Sequence, residues 1–230
     1  MGDAFDLRGY EERVQQLAME HLSDASNADD LVKMMKIITD AAESELADHL
    51  EGGEQIACRA GCGSCCILNV AVLFPEVLAI VDFVKTRMSP EQQRTIVRRV
   101  DVLFRQVRWL GEEERLFLRQ SCAFLDESGD CVIYPVRPLI CRAITSIDPR
   151  HCEAALDTPN SDEARTVIMN LFQKGLMEGT FVALCHAQAQ LGFEDRSGQL
   201  TVGVQGLFDA PELADRYLER KNVWGEQAAG

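Results

Sequence analysis

The sequence predicts a mainly α-helical fold with a small β-hairpin, built around a cysteine-rich metal-binding core. Three observations carry that expectation. Apolar residues recur at three- and four-residue steps near both ends of the chain. A β-prone stretch over residues 122–135 is broken by Ser128-Gly129. Eight of the nine cysteines stand in two clusters: Cys58, Cys62, Cys65 and Cys66 fall within nine residues, and Cys122, Cys131, Cys141 and Cys152 within 31.

Leu7, Tyr10, Val14, Leu17 and His21 mark one amphipathic helix and Leu31, Met34, Ile38, Ala42 and Leu46 a second, their apolar faces paired across a polar turn at residues 23–27. The second helix should stop before Gly52 and Gly53. Residues 58–66 (CRAGCGSCC) hold two glycines and read as a loop able to wrap an ion, and residues 67–74 as a short buried strand or extended run. Pro75 suits a first helical turn, giving a helix to about Met88; Ser89, Pro90 and Gln92 then cap a longer one. That helix carries Ile96, Val97, Val100, Leu103, Phe104 and Val107 on one side and Arg94, Arg98, Arg105 and Arg108 on the other. After the hairpin, which Pro135 ends, Pro138 opens a short helix containing Cys141 and Arg142. Residues 161–177 and 181–191 read as two helices and 196–206 as a loop or weak hairpin. Residues 209–212 cap a last helix to about Lys221, and the tail after Asn222 frays. The expected organisation is a helical segment over 1–57, a cysteine-cluster region over 58–155, a second helical segment over 156–222 packed on the same domain, and a tail over 223–230.

At 230 residues, 47% hydrophobic and 26% charged, the chain is long and apolar enough to bury a core without staples. No apolar run approaches the roughly 18 residues of a membrane span. Asp3, Asp6, Glu11, Glu12 and Glu20 in the first 20 residues oppose a secretion signal, so a cytoplasmic location is expected. A net charge of -14 repels phosphate backbones and anionic lipid, which argues against nucleic acid and membrane partners. The charge is uneven. Residues 1–57 carry 4 basic and 14 acidic side chains and residues 85–119 carry 9 basic and 5 acidic, so the two regions could face each other, although an arginine stripe is more often simply solvated.

Clustered cysteines without a secretion signal read as ligands in a reducing compartment. Thiolates are soft donors that suit zinc and iron, and eight of them have the capacity for two four-sulfur shells. The neighbouring side chains of Cys65 and Cys66 diverge in most backbone conformations, so either one of the pair serves a second ion or neither is bound at all times. With a two-residue turn at Ser128-Gly129, Asp126 would oppose Cys131, and Cys122 would lie about 13 Å further along the same face, in a different site. Cys141 in a helical first turn should have its thiolate favoured by the helix dipole and Arg142. Arg137 and Arg142 are expected to offset thiolate charge around the bound ion. Cys185, on an apolar helix face, reads as core packing. His151 and His186 adjoin cysteines but read as ordinary polar histidines, and His21 and His49 as structural.

The ordered set Cys58-x3-Cys62-x2-Cys65-Cys66, Cys122-Ala-Phe-Leu, Cys131-Val-Ile-Tyr, Arg137-Pro138 and Cys141-Arg142 resembles the YkgJ-type cysteine-cluster proteins, the CxxCxxCC zinc- or iron-chelating family. The resemblance spans residues 58–152, with three residues in the first gap where the family name has two. It implies metal chelation through Cys58, Cys62, Cys65, Cys66, Cys122, Cys131, Cys141 and Cys152. A flagellin lysine-N-methylase family is similar in its cysteine cluster and implies methyl transfer from S-adenosylmethionine for relatives that carry a cofactor-binding loop. Zinc is the first expectation, because a closed four-cysteine shell staples segments distant in sequence; iron or an iron-sulfur cluster is the alternative.

Three function classes follow. A metal-binding module with a structural or metal-handling ion predicts a closed site and no substrate pocket. A methyltransferase-like or redox metalloenzyme predicts a cleft beside the cysteines. A thiol redox sensor predicts accessible, low-pKa sulfur. No catalytic motif supports the enzyme reading: G-x-S-x-G, H-E-x-x-H and the P-loop are absent, and Gly61-x-Gly63 lacks the flanking strand and helix of a dinucleotide loop.

Overall fold

The structure, a computed structural model, describes residues 5–50, 56–157 and 166–225. It is mainly helical. Helix α1 (Leu7–Asp24) starts where the Asp6 carboxylate accepts the Gly9 N–H, and α2 (Ala28–His49) where the Asn27 side chain accepts from Asp30. Helix α3 (Phe74–Arg87) has Pro75 in its first turn, and α4 (Pro90–Val107) opens with a reciprocal cap between Ser89 and Gln92. Further along lie α5 (Glu112–Leu118), α6 (Leu139–Ala143), α7 (Pro149–Asp157), α8 (Leu171–Leu191), α9 (Leu200–Asp209) and α10 (Leu213–Leu218). One antiparallel pair, β1 (Ala71–Val72) with β2 (Gly198–Gln199), sets Ala71 opposite Gln199.

One continuous apolar core runs from Tyr10 through the faces of α2, α3, α4, α8 and α9 to Trp224. Helix α1 lies along α8 at close range: a Cβ on Gly179 would meet Glu11 Oε1 at 2.7 Å, and the buried hydroxyls of Tyr10 and Thr180 bond at 2.7 Å. The buried carboxylate of Glu76 closes the α3 N-terminus by accepting from Leu73 N and reaches across to Leu139 N, both at 2.8 Å, which fixes the start of α6. Helix α3 is thereby the post on which α6, bearing Cys141, is hung.

The expected fold class holds, but several elements differ. Residues 122–135 make no hairpin ladder. A single bridge pairs Leu125 with Cys131, because the Asp126 carboxylate accepts from both Ser128 N and Asp130 N and winds the turn into a longer loop. The only two-stranded sheet among the described residues is β1 with β2, and β1 is two residues rather than eight. The two helices expected over 161–191 are one, α8, continuous through Glu178 to Thr180; residues 161–165 lie outside the described part.

The stretch expected as a loop at 196–206 contains α9. Its Gly203 lets the helix approach α3 so closely that a Cβ would stand 2.8 Å from Val77 and 2.9 Å from Trp224. The last helix ends early, at Leu218, and Val223 and Trp224 are buried rather than frayed, with the indole N–H donating to Arg196 O at 2.7 Å. Gly52 and Gly53 lie outside the described residues, and α2 ends before them. Helices α5 and α7 are additional. Nor do the acidic and basic regions face each other: α4 packs on α9 and α3, and among the described residues no ion pair joins residues 94–108 to residues 5–50.

Burial raises the Glu76 carboxyl from its ordinary 4.5 to about 7, against the pull of the two N–H donors and Arg142. Between those values the folded protein holds a proton that the unfolded chain has released, so this group's stabilising effect is complete at about pH 4.5 and falls as pH rises toward 7. Denaturant unfolding from pH 4.5 to 7.5 should show the native protein losing up to about 3 kcal/mol relative to Glu76→Gln. A pH-independent difference between the two proteins would contradict this.

Candidate metal centre

The two cysteine clusters meet because their loops are pressed together at glycines. Gly61 and Gly129 both take positive φ (80° and 82°), and a Cβ on Gly129 would stand 2.9 Å from the Gly61 carbonyl oxygen. Cys122 N donates to Cys66 O at 2.7 Å, and Ala57 N to Ser146 O at 2.8 Å. Residues 56–58 are thereby laid beside the strand-like exit from α6. A short 3-10 turn, Ser64–Ile67, carries Cys65 and Cys66, and α7, which carries Cys152, packs against that turn.

Cys65, Cys122, Cys131 and Cys141 come within electrostatic reach of one another. On the other side, Cys58 feels Cys62, Cys65 and Cys152. The register on which the expected separation of Cys122 from Cys131 rests does not form: Leu125, not Asp126, opposes Cys131, and the chain turns back at Cys122 through a Leu125 N to Cys122 O bond of 3.1 Å. Cys65 and Cys66 are joined by a side-chain hydrogen bond.

All nine cysteines are unpaired thiols. The Cys66 hydrogen bond, together with burial, pushes the Cys65 thiol up; burial pushes Cys122 up to about 11 and Cys141 well above its ordinary value. For Cys141 this reverses the expected helix-dipole effect. A helix of five residues has a weak dipole, and desolvation together with three neighbouring sulfurs exceeds the pull of Arg137.

Among the described residues no three cysteine, histidine or carboxylate groups already form a coordination shell. Protonated thiols have no attraction that would close one. The fit to a metal lies in what surrounds the sulfurs. The backbone N–H groups of Phe124 and Ile133 point at the sulfurs of Cys122 and Cys131, each two residues before, and Ser146 N donates to Cys58 Sγ at 3.3 Å. Such donors serve a thiolate acceptor better than a thiol. Arg115 is 4% exposed with Nη1 buried and unpartnered, and Arg137 Nε is likewise buried without a partner. Arg115 acts on Cys122, and Arg137 on Cys65, Cys131 and Cys141. Unpartnered guanidinium donors beside sulfur are the complement of a negatively charged thiolate set.

Arg137 and Arg142 divide the work expected of both. Arg142, 3% exposed, bonds Arg137 O (3.0 Å), Pro135 O (2.9 Å) and the Glu43 carboxylate, so it clamps the turn before α6 to α2. Gln173 in turn donates to Arg142 O at 2.8 Å. Arg137 stacks on the Tyr134 ring and acts on Cys65, Cys131 and Cys141, whereas Arg142 adds a smaller influence on Cys131. Arg115 escapes a sequence reading because a lone arginine after Glu112, Glu113 and Glu114 looks like solvated helix surface, yet here the arginine is buried and Phe117 is exposed. Cys185 donates to Asp195 O at 3.1 Å against the core, away from the cluster, and His186 is exposed. His151 keeps a buried, unpartnered Nδ1 beside Cys152.

The thiol wall opens on a cavity of about 660 Å³, lined by seven of the cysteines (all but Cys152 and Cys185) and by apolar side chains that include Leu46, Val70, Phe124, Ile133 and Leu200.

Residues 57–164 match the family model described as CxxCxxCC, putative zinc- or iron-chelating domain, so the resemblance drawn from the cysteine pattern holds over that segment. A zinc- or iron-chelating role comes with that description. No curated protein and no solved structure matches the chain. No helix among the described residues is long and apolar enough to cross a membrane.

The Glu43 side chain is half-exposed, so Arg142 owes its worth chiefly to the two carbonyl bonds it makes in the interior. Arg142→Ala should cost about 2–4 kcal/mol in denaturant unfolding of the metal-free protein. A loss under about 0.5 kcal/mol, the level of an ordinary surface change, would contradict the clamp.

Proposed function

We propose that this protein binds metal through its clustered thiolates, with Cys65, Cys122, Cys131 and Cys141 as one set and Cys58, Cys62, Cys152 and Cys66 as the other. The observation that carries the reading is the convergence of sulfurs from four chain segments onto one wall that presents N–H and guanidinium donors to them. Cys65 is placed with the first set because Cys122, Cys131 and Cys141 lie within its electrostatic reach, and Cys66, hydrogen-bonded to it, stands at the junction of the two sets. Zinc is the favoured ion and iron the alternative, since thiolate donors suit both. The ion's role is structural or metal-handling: it would supply the attraction that the thiols lack and tie the 58–66 loop to residues 122–152. Nine unpaired cysteines suit a reducing cytoplasm. The acidic balance of the chain disfavours nucleic acid as a partner.

One observation favours a second reading. A cavity of about 660 Å³ is far larger than two ions need and falls in the range of small-molecule sites. A metal-dependent enzyme, methyltransferase-like or redox, would place its substrate there, beside the sulfurs.

Elemental analysis of anaerobically purified variants tests the first reading. Cys141→Ser and Cys62→Ser should each lose about one metal ion per chain and lower the thermal midpoint, because a structural ion's binding energy is folding energy. Cys185→Ser should retain the wild-type content. Equal metal content in all three would overturn the assignment.

A further inference from the structure

The cavity of about 660 Å³ beside the sulfurs is larger than metal ligation requires, and much of its wall is not sulfur. Leu46 comes from α2, Val107 from the end of α4 and Leu200 from the start of α9, elements that carry no cysteine. A volume of about 300–1,000 Å³, a mainly apolar wall and a few fixed polar groups are the usual marks of a small-molecule site. Four polar atoms on this wall are buried without a hydrogen-bond partner: Arg115 Nη1, Arg137 Nε, Gln173 Oε1 and Asp130 Oδ1. The described residues hold only three more such atoms, those of His151, Gln188 and Gln205, and none of these residues lines the cavity. Buried polar atoms are ordinarily paired, so their concentration here marks partners that the chain itself does not supply.

The four atoms specify those partners. Arg115 is 4% exposed, and a guanidinium cannot shed its proton to escape burial, so it requires an anion. Neither Arg115 Nη1 nor Arg137 Nε donates to a sulfur. With five N–H groups, a guanidinium can face a thiolate with one edge and a second anion with another. Its planar fork matches a carboxylate. Gln173 is 5% exposed, and its amide N donates to Arg142 O, which can only accept; that bond fixes Oε1 as the atom left over. Gln173 Oε1 and Asp130 Oδ1 both call for an N–H or O–H donor. The other carboxylate on the wall, Glu43, is already paired with Arg142.

We propose that the cavity binds a small organic carboxylate with an apolar body and a separate hydroxyl or amino donor. Arg115 and Arg137 hold the carboxylate, Gln173 and Asp130 take the donor, and the apolar side chains of α2, α4 and α9 enclose the body. The proposal rests on the reading of the cavity as a small-molecule site beside the sulfurs, and it names the chemistry that site accepts.

Isothermal titration calorimetry on the anaerobically purified full-length protein, with its metal content measured alongside, tests this with three probes that share a phenyl body. They are 3-phenyllactate, with a carboxylate and a hydroxyl, 3-phenylpropanoate, with the carboxylate alone, and 2-phenylethylamine, a cation. Phenyllactate should bind tightest, phenylpropanoate about threefold more weakly, and phenylethylamine at least about tenfold more weakly again. Arg115→Gln should weaken phenyllactate at least about tenfold, the scale of a lost hydrogen bond to a charged group. Leu46→Trp fills the cavity from a helix without cysteines, so it should abolish binding at wild-type metal content; it keeps the test decisive should Arg115→Gln fail to fold or shed metal. Phenylethylamine binding as tightly as phenylpropanoate, or phenyllactate affinity unchanged by Leu46→Trp, would overturn this inference and leave the cavity open to another chemistry. Equal affinity of the two carboxylates would strike out the donor and its acceptors, Gln173 and Asp130. No binding of any probe would overturn the reading of the cavity as a small-molecule site.

Discussion

Thiols from residues 58–66, from either side of the 126–130 loop, from α6 and from α7 can converge only if the backbone holds them, because neutral sulfur groups do not attract one another. Backbone does this in three places. Gly129 passes so close to the Gly61 carbonyl that its loop tolerates no side chain there, Cys122 N bonds Cys66 O, and Ala57 N bonds Ser146 O. Arg142 and Glu76 then anchor α6 from opposite directions, one through the carbonyls of residues 135 and 137 and the other through the Leu139 N–H. The helices supply the frame: α3 carries Glu76, α2 carries Glu43, and α8 carries Gln173, which ties off the Arg142 carbonyl.

That frame makes a wall in which the polar groups are arranged for a charge state the thiols do not yet have. Burial raises the Cys122 and Cys141 thiols, while amide N–H groups point at the sulfurs of Cys122 and Cys131, and Arg115 Nη1 and Arg137 Nε are buried without a partner. Conflict of this kind is resolved when a metal ion displaces the protons, since ligation creates the acceptors that the donors need. The same reasoning makes the cavity consequential: it gives a second molecule a route to the sulfurs.

Much of this was legible in the residues and some was not. Periodicity located α1 and α2, and Pro75 and the Ser89-Pro90-Gln92 cap located α3 and α4, all to within a few residues, and the cysteine spacing located the cluster. Periodicity failed where glycine serves packing rather than turning, as at Gly203 in α9 and Gly179 in α8. The hairpin failed because Asp126 caps its own loop, a side-chain effect that lengthens the turn and shifts the register by one residue. Arg115 was hidden because its burial is a tertiary fact, set by where α5 lies against the thiol wall. The acidic N-terminal helices and the arginine face do not pair, since the apolar faces of α4 and α9 decide the packing and long-range charge does not.

The central claim is a shell made of sulfur. X-ray absorption at the metal K-edge on anaerobically purified protein measures it directly. The account predicts a first shell of four sulfurs at about 2.3 Å, the zinc–thiolate distance. A first shell dominated by nitrogen or oxygen, at about 2.0–2.2 Å, would contradict it.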